Sequence, residues 1–220
     1  YERIVRAFRQ AYPVYQTQTE CTLAIYFALA EDTQKTADQL AQMIRDCGTK
    51  LQTGFVGTPY LLHALSAHGY TELAYDLLLR REYPSWLYPV TKGATTIWEH
   101  WDGQMENGDF WSSDMNSFNH YAYGAVADWV YTVAAGIQTI EEKPGYVAVR
   151  IAPQPDKRLT WAERRFFTEQ GEAAVHWRRE NGVFTLTATV PCNADAEIRL
   201  PDGSRHTVGS GTYTYTVREG

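Results

Sequence analysis

Cysteine is scarce in this 220-residue chain, with only Cys21, Cys47 and Cys192 present. Thiols so widely separated exclude a disulfide framework and a zinc site, both of which need close pairs. We therefore expect them to be reduced and mostly buried. Long apolar runs are also missing. The longest, "CTLAIYFALA" from Cys21 to Ala30, is about half a membrane span, so no membrane partner is expected. Basic residues run no longer than the pairs Arg80-Arg81, Arg164-Arg165 and Arg178-Arg179, in a chain of formal charge -6 and pI near 5.5. That balance removes the basic face a nucleic acid or anionic bilayer would need. There is no glycine-rich phosphate loop and no nucleophile elbow. His63 and His68, five residues apart, share no helical face, and the acids lack the alternating spacing of a calcium loop. We expect neither metal nor cofactor.

An apolar share of 44% with 21% charged residues describes a soluble folded chain with room for one large or two ordinary domains. From Tyr1 to about Gln138 the apolar period is helical. Thr33 starts an amphipathic helix with Leu40, Met43, Ile44 and Cys47 on its apolar face and Gly48 at its end. Its neighbour, Thr19 to Ala30, is apolar nearly all round and reads as an inner helix. Thr58-Pro59 supplies a capping hydroxyl and an N1 proline for a helix that Gly69 stops, and Thr71 caps the next. A last long helix is predicted from about Ser117 to Gly136.

After "EEKPG" the period falls to two. "AAVHWRRE" and "VFTLTATV" flank Asn181-Gly182, a type I′ hairpin turn, with Phe184, Leu186, Ala188 and Val190 on one face. "EIRL" and "RHTV" flank "PDGS" in the same way. The expected fold is therefore an all-α region over 1–139 followed by an antiparallel β-sandwich over 140–220.

Between the helical stretches lies Thr91 to Asn116, long for a connection inside a compact domain and hence a candidate functional loop. It holds Glu99, Asp102, Glu106, Asp109 and Asp114 among Trp98, Trp101, Phe110 and Trp111. Indole faces pack on the C–H surface of a pyranose, and carboxylates such as Asp102 accept bonds from its hydroxyls. Glu99, between two tryptophans, has the setting of a proton acceptor. The same composition also suits structural ion pairs and hydrogen bonds. A sugar-binding module without catalysis, or a helical-barrel glycosidase for another sugar, fits it as well.

Longer motifs narrow this. "TGFVGTPYLLHAL", "AYDLLLRREYPSWLYPVTKGATTIWEHWDG" and "NSFNHYAYGAVADWVY", then "GY..V.IAPQP", resemble the C-terminal portion of bacterial α-L-rhamnosidases of glycoside hydrolase family 78. The resemblance runs through nearly the whole chain. It implies part of an (α/α)6 barrel, with about six or seven of its twelve helices, followed by a β-sandwich. It also implies an inverting release of terminal L-rhamnose from plant glycosides or polysaccharides. Glu99 corresponds to the family's general base and His120 to a residue that bonds rhamnose; Trp98, Trp101 and Asp102 are further expected sugar contacts. Nothing here matches the acidic segment that carries the family's general acid. The chain opens mid-helix on "YERIVRAFRQ", so a fragment is expected; a missing N-terminus would hide any signal, which leaves the compartment unknown, with the cytoplasm favoured. Unpartnered inner helices would then make it self-associate.

Overall fold

A computed structural model describes residues 1–218, and they divide into two compact units, Tyr1–Val126 and Ala127 onward. The first unit is a succession of helices: α1 (Glu2–Ala11), α2 (Gln18–Tyr26), α3 (Thr33–Asp46), α4 (Thr58–Ala67), α5 (Thr71–Leu79) and the short α6 (Leu87–Thr91). Helix α2 packs on both α3 and α4, and α4 packs on α5, in the manner of consecutive helical hairpins. Leu40, Ile44, Leu61 and Leu65 are fully buried at these contacts, each contributing about 1.5–3 kcal/mol. Burial of Gln18 is offset by bonding at both ends of its amide. Nε2 donates to the Lys50 carbonyl at 3.0 Å, and Oε1 accepts from the Gln52 N–H at 2.9 Å.

Helix ends follow the local chemistry, with three shifts from expectation. Gly48 and Gly69 take φ of +76° and +85° and stop α3 and α4 as expected. Helix α2 ends at Tyr26, four residues early, because Ala28 adopts φ +52° and Leu29 N–H reaches back to the Ala24 carbonyl. Thr58 is the first residue of α4 and not its cap: Gly57 holds that position, and the Thr58 hydroxyl pairs with that of Thr53 at 2.8 Å. Thr71 likewise opens α5, with Tyr70 at the cap position.

The predicted helix from Ser117 to Gly136 is much shorter. Ser117 to Tyr121 is not helical, and the helical stretch begins as a 3-10 turn over Ala122–Ala125. It continues as α7 (Val126–Trp129) and a π turn over Val130–Ala134. Trp129 and Val133 face inward, whereas Tyr121 is 89% exposed.

The second unit is a β-sandwich. One sheet has the order β1 (Ile137–Thr139), β2 (Ala148–Ile151), β6 (Asp195–Arg199), β7 (Arg205–Val208). The other has the order β3 (Trp161–Thr168), β4 (Gly171–Glu180), β5 (Val183–Val190), β8 (Gly211–Arg218). All neighbours are antiparallel except β2 and β6, which run parallel because the chain builds β3 to β5 in the other sheet before returning. The core between the sheets includes Val149, Ile151, Trp177, Phe184, Leu186 and Ile198. Trp177 is fully buried, and its indole N–H donates to the Ala134 carbonyl at 2.8 Å. Asn181 and Gly182, at φ +52° and +72°, form the expected hairpin turn.

Among the described residues no helix is long and apolar enough to cross a membrane. The three thiols are free. Burial, with the Glu20 charge second, pushes the Cys21 thiol up to about 11; against the expectation of mostly buried thiols, Cys47 is half-buried and Cys192 is exposed in the turn after β5.

Candidate active site

The non-helical stretch 117–121 has a partner. Glu99 N–H donates to the Ser117 carbonyl at 2.9 Å, and His120 N–H donates to the Ile97 carbonyl at 2.8 Å. The Thr96 hydroxyl bonds the Phe118 carbonyl. Segments 96–99 and 117–120 thus run antiparallel and satisfy one another's backbone groups, which is why helix propensity loses at Ser117 to Tyr121. The pairing sets Glu99 and His120 in one rigid frame. Ser117 N–H also donates to Glu99 Oε2 at 3.2 Å, so one carboxylate oxygen of this half-buried acid is held by backbone.

Aromatic contacts brace the frame. Trp98, 7% exposed, meets Phe118 edge-on at 4.9 Å. Trp101 stacks on Tyr123 at 3.7 Å and meets Trp86 edge-on at 5.3 Å, and the Trp86 indole N–H donates to the Tyr123 carbonyl at 2.9 Å. The Trp101 indole N–H is buried and has no hydrogen-bond partner among the described residues. His100 stacks on Trp111 at 3.6 Å. Further along, Gln104 bridges to Phe110, and the Tyr88 hydroxyl donates to the Gln104 carbonyl at 2.9 Å. A cleft of about 40 Å³ among Trp86, Trp98, His100, Trp101 and Tyr123 admits water but not a sugar ring.

Asp102 is half-buried, and its charge reaches three phenols. Burial first, then Asp102, holds the Tyr83 hydroxyl above its usual range. Tyr123 is raised by burial, then by Tyr83, Asp102 and Glu99; Tyr88 is raised by burial, then by Glu106 and Asp102. The structure therefore gathers Glu99, Asp102 and Tyr123 electrostatically, and Glu99 with His120 through backbone. Sequence reading missed Phe55, Tyr83 and Tyr123. Two of them lie in the distinctive stretches "TGFVG" and "NHYAYG", whose residues gave no sign of which side chains would converge.

Helical hairpins that present a carboxylate among stacked aromatics, followed by a β-sandwich, define the class as a helical-hairpin domain with an appended sandwich. Family models agree: residues 2–134 match the bacterial alpha-L-rhamnosidase 6 hairpin glycosidase domain, and residues 136–214 match the bacterial alpha-L-rhamnosidase C-terminal domain. The chain belongs to the bacterial alpha-L-rhamnosidase family.

An alpha-L-rhamnosidase of Streptomyces avermitilis is 38% identical, covering 99% of this chain and 24% of its own length. One from Formosa agariphila is 39% identical, covering 91% of this chain and 22% of its own length. The crystal structure of the Streptomyces avermitilis enzyme complexed with L-rhamnose matches with a TM-score of 0.92 at 38% identity, over 99% of this chain and 24% of that one. The native enzyme of Aspergillus terreus matches with a TM-score of 0.93 at 36% identity, over 99% and 26%. The chain thus spans about a quarter of the length of the relatives it matches.

Proposed function

We propose that the chain is part of an inverting glycoside hydrolase that releases terminal α-L-rhamnose from glycosides or polysaccharides, with Glu99 as general base. The observation that carries this reading is the Glu99 carboxylate: half-buried, with Oε2 held by the Ser117 N–H, leaving Oε1 for a water. In the reaction Glu99 removes a proton from that water as its oxygen bonds the anomeric carbon. On the opposite face a carboxylic acid protonates the departing glycosidic oxygen. The two carboxyl groups of such a pair stand ~6.5–9.5 Å apart to admit the water. None of the residues assigned here fills the acid role, so in this reading the proton donor lies outside these 220 residues.

His120 and Asp102 bond sugar hydroxyls in this account, Trp101 offers its half-buried edge to the ring, and buried Trp98 backs Glu99. The L-rhamnose complex of the Streptomyces avermitilis relative supports the choice of sugar. In the full-length protein, a panel of aryl glycosides followed by NMR should show turnover of the α-L-rhamnoside with β-L-rhamnose as the first-formed product. An initial α product would refute inversion, and preference for another glycoside would refute the sugar.

A further inference from the structure

The loop between α3 and α4, "TGFVG", lies more than sixty residues before His120 in sequence, yet its phenylalanine reaches that histidine. The Phe55 ring stacks on the His120 imidazole at 4.9 Å with an interplanar angle of 12°, and meets the Tyr123 ring at 5.1 Å. Phe55 remains 42% exposed, so this contact is not part of the buried core. The histidine is held in two further ways. Its backbone N–H donates to the Ile97 carbonyl at 2.8 Å, and its imidazole Nδ1 accepts from the Ala122 N–H at 3.3 Å. A ring nitrogen that accepts carries no proton in the neutral imidazole, so the hydrogen sits on Nε2. What these bonds leave free is the tilt of the ring, and flat aromatic faces set it: Phe55 at 4.9 Å and, more distant at 5.5 Å, the parallel ring of Tyr121.

We propose that Phe55 is a positioning residue that orients His120 as an Nε2–H donor toward a sugar hydroxyl. The proposal rests on the sugar-site reading above. Leucine at this position keeps much of the volume and removes the flat face, whereas tyrosine keeps the face. In the full-length protein, Phe55→Leu should raise KM and weaken L-rhamnose binding about tenfold, with kcat and the unfolding midpoint little changed, and Phe55→Tyr should restore both. In a His120→Ala background the same leucine substitution should have almost no further effect, because its target is gone. L-rhamnose binding by calorimetry separates the possible failures. If the unsubstituted protein neither binds L-rhamnose nor cleaves a rhamnoside, the sugar-site reading falls and this proposal with it. If it binds and Phe55→Leu binds equally well, or loses the same factor with and without His120, this proposal alone is overturned.

Discussion

Gly136 provides a sharp test of the packing described for the sandwich unit. It sits at φ +96°, and a Cβ built on it would lie 2.3 Å from the Pro153 nitrogen and 2.6 Å from its Cα. The obstruction is backbone, and two bonds hold it in place: Ala152 N–H donates to the Gly136 carbonyl at 2.8 Å, and Gln154 N–H donates to the Val133 carbonyl at 2.9 Å. Alanine at 136 carries about 1–2 kcal/mol of left-handed strain. Displacing Pro153 would also disrupt both bonds, at about 1 kcal/mol each. The sum, about 3–4 kcal/mol, is a large part of an ordinary domain's stability of roughly 5–15 kcal/mol. Gly182 is the control, since it shares the left-handed conformation at φ +72° but has nothing within 4 Å of its virtual Cβ, so Gly182→Ala should cost only the strain of about 1–2 kcal/mol. Urea unfolding followed by circular dichroism measures both. If Gly136→Ala fell within about 0.5 kcal/mol of Gly182→Ala, the close approach to Pro153 would be wrong.

Glu197 bonds Arg199 at 2.7 Å and Arg150 at 2.9 Å, and these bonds hold its carboxyl down at about 2, from an ordinary 4.5. A depressed folded-state value means that the stabilisation is present above 4.5 and lost as pH falls toward 2. Allowing for solvent access, Glu197→Gln should cost about 1–2 kcal/mol at pH 7 and almost nothing near pH 2, and a pH-independent cost would contradict the assignment. Trp177→Phe should cost about 3 kcal/mol, because it leaves the Ala134 carbonyl unpaired and a void in the core; a thermal midpoint within about a degree of the unsubstituted chain would refute that. Helix α1 buries only Val5, and Tyr1, Ile4, Tyr12 and Val14 are each at least 60% exposed. The 220-residue chain should therefore sediment faster as its concentration rises, and a clean monomer at high micromolar concentration would count against this.

Much of the fold was legible because it is encoded locally. The change of period, the Asn181-Gly182 turn and the stops at Gly48 and Gly69 each depend on a few adjacent residues. What failed depended on distant partners. Ser117 to Tyr121 reads as helix until segment 96–99 is present to take its backbone bonds, and the parallel pairing of β2 with β6 depends on three strands placed elsewhere first. At the site, the "WEHWDG" stretch singled out Glu99, and "FNHYA" singled out His120. The contact of Phe55 with His120 was not readable, because "TGFVG" and "FNHYA" meet only when the α3–α4 loop folds back.

The central claim is that Glu99 activates the water. Glutamine in its place can still accept the Ser117 N–H but cannot take a proton, so the frame should survive while the chemistry stops. Steady-state hydrolysis of an aryl α-L-rhamnoside by the full-length Glu99→Gln protein tests this most directly. The account predicts a loss in kcat of ~10²- to 10⁴-fold or more, with L-rhamnose affinity and the unfolding midpoint nearly unchanged. Activity within about tenfold of the unsubstituted protein would contradict it.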